Sequence, residues 1–256
     1  MSTIEVKGLS FGYTKETPVL KNINISIEPS SLTAILGKNG CGKSTLLDCI
    51  IGYNQTKTGN IFINGKDLHT FSDKQLATEI AYIPQNTVSN MDFTVEEFIL
   101  FGRNCRLKFG DFLKQEDYDI VHENARLLGV DNLLSKSIHK ISGGERQLAY
   151  IARALTQESP IIIMDEPTAN LDFGNQAVLF SIMKDLQQKG KTVLFTTHNP
   201  NHVMDLGCDL IGIKDGAEKY AGSASDIMSV DMIKDLYGEK FEVEFDGKHF
   251  VINAEF

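Results

Sequence analysis

The nine residues from position 37 to position 45 have the types and the spacing that bind phosphate. They are Gly37, Lys38, Asn39, Gly40, Cys41, Gly42, Lys43, Ser44 and Thr45, and they fit the pattern G-x-x-x-x-G-K-[ST] in full. The glycines allow backbone N–H groups to turn toward an anion, and a following helix adds partial positive charge. Lys43 can then reach the β- and γ-phosphates of a nucleotide, and the Ser44 hydroxyl can ligate Mg²⁺. The pattern therefore predicts a site for nucleotide phosphates.

Two adjacent carboxylates, Asp165 and Glu166, follow the short apolar run at residues 161–164. Four apolar residues in succession predict a strand that is buried on both faces, as in a parallel sheet. Ligands of α/β sheets bind beyond the carboxyl ends of such strands. Asp165 is therefore predicted to hold Mg²⁺ through water, and Glu166 to polarise an attacking water. The pair is a weak signal by itself and a strong one downstream of a phosphate-binding loop.

Three further side chains allow two interpretations each on local chemistry alone. Tyr13 could pack in the core or stack on a base, and its immediate surroundings favour packing. Gln85 lies on a loop after the strand predicted at residues 80–83, where a glutamine is usually solvated. His198 follows the strand predicted at residues 191–197 and is either structural or part of the same sheet edge as the carboxylates.

A glycine pair, Gly143 and Gly144, lies between Ser142 and Glu145 at the start of a helix predicted to end near residue 157. The serine and the glutamate have capping-box spacing, so local physics favours a well-capped helix. The alternative is a second anion site, because a hydroxyl, two glycines and a helix N-terminus suit a phosphate.

The elements around these residues alternate between strands and helices in the way that an α/β fold requires. A buried strand at 32–36 precedes the phosphate-binding loop and a helix at 43–51 follows it. No strong strand candidate lies between about 86 and 158, so this region is predicted to be a helical insertion. The other predicted elements are strands at 3–8, 19–27, 59–63, 209–213 and 217–221, and helices from 72, from 94, at 115–129 and at 174–189.

The C-terminal residues are predicted to form two short helices, at about 224–228 and 230–237, followed by a β-hairpin at 241–252. The dipeptide Asp246-Gly247 is a signal for a type I′ turn between the hairpin strands. We identify no chemistry in this segment from the sequence.

Composition limits the classes of protein to which the chain can belong. Apolar residues make up 42% of the 256, which is enough for a sizeable core, and the formal net charge is −9. That charge argues against a nucleic-acid backbone as the main partner. Cysteines at positions 41, 49, 105 and 208 lack metal-site spacing and fit a reduced compartment. We expect no signal peptide and no membrane-spanning segment.

The order of the motifs resembles the ATP-binding cassette (ABC) ATPases of membrane transporters over about residues 3–225. Residues 11–13 are similar to the aromatic loop that stacks on adenine, which reverses the local preference for Tyr13. The remaining correspondences are Walker A at 37–45, the Q-loop glutamine Gln85, the signature at 141–145, Walker B at 161–166, the D-loop at 169–172 ending in Asp172, and the switch histidine His198. The signature departs from the usual pattern only in beginning with Ile141 rather than Leu.

The resemblance implies an α/β fold with a P-loop NTPase (RecA-like) core, an N-terminal antiparallel β subdomain and an inserted helical subdomain. It implies one ATPase domain at 1–240 and leaves 241–256 as a hairpin tail. It further implies that ATP and Mg²⁺ bind. The residues expected to contact the nucleotide are Tyr13, Gly37, Asn39, Gly40, Cys41, Gly42, Lys43, Ser44, Thr45, Ser142, Gly143, Gly144, Glu145 and Asp172; those expected to hold the metal are Ser44, Gln85 and Asp165.

The catalytic residues implied by the resemblance are Glu166, His198, Lys43 and Gln85. Glu166 would orient or deprotonate the water that attacks the γ-phosphate, and His198 would hold that geometry. The resemblance implies a head-to-tail dimer with a second ATPase chain, expected to be identical, whose signature closes each site; the sequence does not decide whether the dimer is homo- or heteromeric. We expect Ser142 to cap its own helix in the open monomer and the γ-phosphate to take over those N–H groups on closure. It also implies polytopic permease subunits, indirect contact with a substrate-binding protein, no nucleic acid, and a peripheral position on the cytoplasmic face of the cell membrane.

Finer features resemble the importers of iron–siderophores, haem, cobalamin and related metal chelates. These features are the length of the helical insertion and the segments 100–103, 144–147 and 196–200. Zinc or manganese importers share much of the pattern and remain an alternative. A soluble ABC ATPase acting on nucleic acid or ribosomes is a further alternative, against which the negative charge and the lack of coiled-coil insertions argue. The sequence does not name the transported substrate.

Overall fold

The computed structural model describes residues 2–14, 17–85, 92–108, 110–238 and 241–254. The predicted start of the helical insertion, residues 86–91, and the last residues of the predicted tail, 255–256, lie outside the described residues. The chain divides into two compact units, one formed by Met1–Thr70 with Met183–Phe256 and the other by Phe71–Ile182. The predicted boundaries at 86, 158 and 240 stay predictions.

Strands and helices alternate along most of the described chain. The strands are β1 (Ile4–Phe11), β2 (Leu20–Ile27), β3 (Leu32–Leu36), β4 (Thr58–Ile63), β5 (Lys66–Asp67), β6 (Ile80–Ile83), β7 (Ile161–Met164), β8 (Thr192–Thr197), β9 (Asp209–Lys214), β10 (Ala217–Ser223), β11 (Phe241–Phe245) and β12 (Phe250–Ala254). The helices are α1 (Lys43–Ile50), α2 (Asp73–Glu79), α3 (Val95–Leu100), α4 (Gln115–Leu127), α5 (Gly143–Thr156), α6 (Phe173–Gln188), α7 (Pro200–Leu206), α8 (Ala224–Ile227) and α9 (Val230–Tyr237).

An antiparallel sheet of order β2-β1-β4-β5 forms the N-terminal part of the first unit. Its strands alternate between buried and exposed residues, so that Ile23, Ile25 and Ile27 point into the core. This period of two is what a half-buried strand requires. The antiparallel N-terminal sheet predicted from the sequence is therefore confirmed.

A parallel core in the first unit positions the phosphate-binding loop. The strand β3 is buried at every residue and lies between β8 and β9, to which it pairs in parallel. Hydrophobic residues on both faces are typical of such a strand. The loop follows the carboxyl end of β3 and leads directly into α1, and His198 follows the carboxyl end of the neighbouring β8. Both therefore lie beyond the carboxyl ends of adjacent strands.

The second unit contains a parallel strand pair and a helical region. The strands β6 and β7 pair in register from Ile80 with Ile161 to Ile83 with Met164. Between residues 92 and 158 the described chain contains helices and turns but no strand, as the sequence predicted. Predicted capping boxes open α2 at Ser72, α3 at Thr94 and α5 at Ser142. These local signals place the start of three helices correctly.

The C-terminal hairpin forms, but its predicted turn is wrong. Phe245 pairs with Phe250, so the loop has four residues instead of the two of a type I′ turn. Asp246 accepts hydrogen bonds from the N–H groups of Lys248 and His249 at 2.8 and 2.7 Å. This aspartate-centred loop outcompetes the two-residue turn because its side chain satisfies two backbone donors.

Candidate active site

The phosphate-binding loop has the backbone that its glycines permit. Gly40 and Gly42 have φ angles of +79° and +109°, in the region that side chains other than glycine rarely adopt. A Cβ atom at Gly37 would lie 2.4 Å from the carbonyl oxygen of Ile213, so no larger residue fits there. The loop therefore passes close to the end of the neighbouring strand β9, which keeps position 37 restricted to glycine.

The helix α1 begins without an acceptor of its own. Its N-cap residue Gly42 has no side chain, no side-chain cap bond is formed, and its first turn contains no acidic residue. The helices α2, α3 and α5, in contrast, begin with capping boxes. An uncapped helix start with a positive dipole is the arrangement that accommodates a phosphate. The structure of this loop therefore fits a nucleotide.

Lys43 lies over the loop with only 5% of its surface exposed. Its Nζ atom donates hydrogen bonds to the carbonyl oxygens of Gly37 at 2.9 Å and Lys38 at 3.0 Å. The next residue, Ser44, is exposed and presents a hydroxyl. A buried ammonium held on the loop and an exposed hydroxyl are the groups that a nucleotide with a hard cation would use.

Tyr13 is 66% exposed, which excludes the core-packing interpretation of this side chain. Its ring packs edge-on against Phe11, and its hydroxyl lies 3.4 Å from the Thr45 hydroxyl at the end of the phosphate-binding loop. An open cleft of about 370 Å³ beside it is lined by residues that include Lys57 and Pro18. The first unit thus brings an exposed aromatic face next to the phosphate-binding loop.

In the second unit, the buried strand β7 presents the two predicted carboxylates. Asp165 is 3% and Glu166 8% exposed. Glu166 has a φ of +43°, a left-handed conformation that costs a non-glycine residue about 1–3 kcal/mol. Its carbonyl oxygen accepts a hydrogen bond from the Ala169 N–H at 3.1 Å, which closes the turn. A strained backbone at a buried carboxylate is typical of a functional residue.

Gln85 contacts the second of these carboxylates. Its Nε2 atom donates a hydrogen bond to Oε2 of Glu166 at 3.3 Å. Hydroxyl, amide and carboxylate oxygens, as on Ser44, Gln85 and Asp165, are the donors that Mg²⁺ prefers. The described residues contain no cluster of three or more His, Cys, Asp or Glu side chains that could hold a metal alone. Mg²⁺ commonly uses one or two carboxylates together with substrate phosphates, so the oxygen ligands that each unit offers by itself are of a kind that fits this ion.

The start of α5 is a closed capping box. The Glu145 N–H donates to Oγ of Ser142 at 3.2 Å, and the Ser142 N–H donates to Oε2 of Glu145 at 2.7 Å. The hydrogen bonds from Ser142 lower the pKa of the Glu145 carboxyl. Gly144 lies so close to the chain that a Cβ atom there would be 3.0 Å from the Asn170 carbonyl oxygen. The capping predicted from the sequence is confirmed; a phosphate at this helix start stays a prediction.

The remaining predicted residues, Asp172 and His198, are both exposed. Oδ1 of Asp172 accepts the N–H of Asn175 at 2.8 Å at the start of α6. The carbonyl oxygen of His198 accepts the hydroxyl of Tyr237 at 2.5 Å. Asp172 therefore has a capping contact, its predicted role at the nucleotide stays a prediction, and His198 is contacted by the C-terminal segment.

Sequence reasoning missed two groups of residues that contact the elements carrying the predicted site. Tyr237 contacts the backbone of His198, and Asn201 of the following helix contacts Phe250, both from positions to which no motif points. Arg103 binds the end of α5 by donating to the Thr156 carbonyl oxygen at 2.9 Å. The only sequence signal for Arg103 was its place in segment 100–103, one of the features that resemble metal-chelate importers.

The comparisons with known proteins point to one family. The family described as "ABC transporter" matches residues 20–169. The chain is 30% identical over 247 residues to the iron(3+)-hydroxamate import ATP-binding protein FhuC of Bacillus subtilis, covering 96% of this chain and 91% of that one. It is 32% identical over 231 residues to the ferric enterobactin transport ATP-binding protein FepC of Escherichia coli, covering 90% and 85%.

A solved structure of an ABC transporter described as metal-chelate type, in an inward-facing conformation, has a chain with the same fold. The TM-score is 0.82 at 28% identity, covering 100% of this chain and 99% of that one. In the described part of this chain, helices long and apolar enough to cross a membrane are absent.

Proposed function

Because the chain belongs to the ABC transporter family and is an ATPase subunit, we propose that it powers the import of an iron–siderophore or a related metal chelate. The observation that carries this proposal is the similarity to two import subunits named for chemically different ferric chelates, a hydroxamate and enterobactin. Because this chain is similar to subunits named for two different ferric chelates, the similarity indicates a class of substrate and not one compound.

The phosphate-binding loop and α1 are proposed to bind the triphosphate of ATP. The N-terminus of α1, which has no side-chain cap, supports this assignment, because it supplies backbone N–H groups and the positive end of the helix dipole. Lys43 would exchange its bonds to the loop carbonyls for oxygens of the β- and γ-phosphates. Ser44, Gln85 and Asp165 would hold Mg²⁺, which supplies charge neutralisation at the phosphates when bound. Tyr13 would stack on the base.

Glu166 is proposed to orient, or to take a proton from, the water that attacks the γ-phosphate. Its burial and the hydrogen bond from Gln85 support this role, because both fix the carboxylate in one position. His198 is proposed to hold the attacking geometry against the γ-phosphate. In-line transfer needs positioning and charge stabilisation more than covalent help from the protein.

The proposed working assembly is a head-to-tail dimer on permease subunits. Residues 142–145 of a second chain would close each site on the nucleotide, because their helix start suits an anion once the capping box opens. Asp172 would contact the nucleotide site of the partner. The chain would then sit at the cytoplasmic face of the membrane without crossing it.

Isolation of the membrane complex would test the proposed function most directly. The full chain, tagged and expressed in its native organism, is expected to co-purify with polytopic membrane subunits after detergent extraction. In proteoliposomes, a ferric hydroxamate or ferric catecholate with its binding protein should stimulate ATP hydrolysis. Stimulation by Zn²⁺ or Mn²⁺ alone would contradict the proposed substrate class. Salt-dependent DNA or RNA binding without any membrane partner would contradict transport.

A further inference from the structure

We propose that Tyr237 is a positioning residue for His198, and that the C-terminal segment braces the switch histidine for ATP hydrolysis. We call α9 with the hairpin β11–β12 the C-terminal brace, and residues 198–206 the switch segment. The inference rests on the proposed function, because the position of His198 affects a rate only if the chain hydrolyses ATP.

The first contact joins the brace to the switch histidine itself. Tyr237 is the last residue of α9, and its hydroxyl donates to the carbonyl oxygen of His198 at 2.5 Å. His198 directly follows the buried strand β8, so its backbone is the point at which the rigid sheet ends. A hydrogen bond to that carbonyl limits the rotation of the peptide group that follows the His198 Cα, and it thereby restrains the Cα to which the imidazole side chain is attached.

The second contact is a pair of hydrogen bonds between α7 and the hairpin. The Asn201 side chain donates from Nδ2 to the Phe250 carbonyl oxygen at 3.0 Å and accepts the Phe250 N–H at Oδ1 at 2.7 Å. The Asn201 amide therefore bonds to both backbone groups of Phe250, as the backbone of a neighbouring strand would. His249 adds a contact from Nε2 to Oδ1 of Asp205 at 2.9 Å. The hairpin is thus fixed along the helix that follows the switch histidine.

The brace has an apolar base of its own. Met232, Ile233 and Leu236 of α9 are buried, as are Val243 and Phe250 of the hairpin. The hairpin is not an independent appendage, because isolated two-stranded hairpins are marginally stable and this one buries one face. The burial makes the brace rigid enough to transmit a constraint to the switch segment.

The switch segment is also tied from inside. The Thr197 hydroxyl accepts the Asn199 N–H at 3.0 Å and lies 3.0 Å from Nδ1 of His202. Oδ1 of Asn199 accepts the Asn201 N–H at 3.0 Å and caps α7. These bonds hold the residues after His198, whereas Tyr237 reaches the backbone of His198 from another element. Loss of the Tyr237 hydroxyl therefore removes a contact of His198 without removing these bonds at the start of α7.

The test is the rate of ATP hydrolysis by the full chain carrying Tyr237→Phe. This variant loses one hydroxyl, and we expect kcat to fall about 3- to 10-fold with the KM for ATP unchanged, the size of one hydrogen bond expressed in the transition state. Asn201→Ala, which releases the hairpin, should lower kcat in the same way. Tyr118→Phe is the matched control, since it removes a tyrosine hydroxyl on α4, outside the brace and the switch segment. We expect its kcat to be that of the wild type.

The double variant with His198→Ala separates positioning from general stability. If Tyr237 acts through the imidazole, Tyr237→Phe should not lower the rate further when that imidazole is absent. An equal loss in both backgrounds, or a wild-type kcat in Tyr237→Phe, would overturn the inference while leaving the proposed function intact. A wild-type chain and complex without ATP hydrolysis would instead contradict the proposed function itself.

Discussion

At the scale of single residues, Glu166 has the most strained backbone conformation among the predicted catalytic residues. Its φ of +43° and its 8% exposure are both unfavourable for a glutamate. The surrounding turn maintains this conformation through the Ala169 hydrogen bond, and Gln85 donates to the carboxylate. Strain held in place at a carboxylate is better explained by a role in positioning water than by stability.

The substitution Glu166→Gln tests this role. The amide has the shape of the carboxylate and can still accept from Gln85, so we expect ATP binding to persist. Hydrolysis should fall by about 10²–10³-fold, because the group that orients the attacking water loses its charge. Single-turnover hydrolysis and nucleotide binding would measure both effects. Glu123→Gln, at an exposed position of α4, is the control; near-normal turnover by Glu166→Gln would refute the assignment.

At the scale of secondary-structure elements, the chain offers a matched pair of helix starts. Ser72 and Ser142 both open capping boxes within the second unit, at α2 and α5. Replacing either serine with alanine should cost about 1 kcal/mol of folding free energy, or roughly 2–4 °C in Tm. Only Ser142→Ala should also lower kcat, by about 10²-fold, if the start of α5 later binds a phosphate.

Thermal unfolding and steady-state ATPase assays of the two alanine variants decide this point. Equal losses of stability, with loss of activity confined to Ser142→Ala, would support the second role of the helix start. Two variants that both keep wild-type kcat would leave Ser142 as a cap only and contradict its assignment to the nucleotide site.

A second element-scale feature is the clamp at the other end of α5. Arg103 donates from Nε to Asp117 at 2.7 Å and from Nη1 to Glu158 at 2.6 Å and to the Thr156 carbonyl oxygen. Its side chain is 10% exposed. Gly102 allows this approach, because a Cβ there would meet the Arg153 carbonyl oxygen at 2.3 Å. A guanidinium at a helix C-terminus complements both the free carbonyls and the dipole.

We expect Arg103→Met to lower the free energy of unfolding by about 2 kcal/mol, because it leaves the part-buried Asp117 carboxylate without its cation and the Thr156 carbonyl oxygen without this donor. Arg106→Met, at a side chain 38% exposed, should cost less than about 1 kcal/mol.

The Lys114 N–H and Arg103 lower the pKa of Asp117. The stability gained from this carboxylate is therefore present above its unfolded pKa and is lost as pH falls through its folded pKa. Urea unfolding at neutral and acidic pH should show the gap between wild type and Arg103→Met narrowing at acidic pH; a constant gap contradicts the clamp.

The elements also show what sequence alone can predict here. Capping boxes and the buried strands β3, β7 and β8 were predicted, because their signals lie within a few residues. The turn at Asp246 was wrong because its side chain competes with the expected backbone geometry. Arg103 and Tyr237 were missed because their partners lie 53 and 39 residues away, where only the fold brings them together.

At the scale of the whole molecule, the proposed dimer makes the rate depend on chain concentration. If each site needs the signature of a second chain, the activity per chain should roughly double with each doubling of concentration below the dimer Kd. Each chain carries a formal charge of −9, so added salt, which screens repulsion, should lower the concentration at which activity appears.

Light scattering of Glu166→Gln with MgATP is the matching structural measurement. Because this variant should bind ATP without completing hydrolysis, it is expected to accumulate as a dimer of twice the 28.4 kDa chain mass. The same variant without nucleotide is the control and should be monomeric, since the phosphates bridge the two chains in the proposed assembly. A monomer with nucleotide, together with constant activity per chain over a hundredfold dilution, would show that one chain completes the site. In that case Ser142, Gly143 and Gly144 would have no role in a partner's nucleotide site, and the capping box would account for all of their spacing.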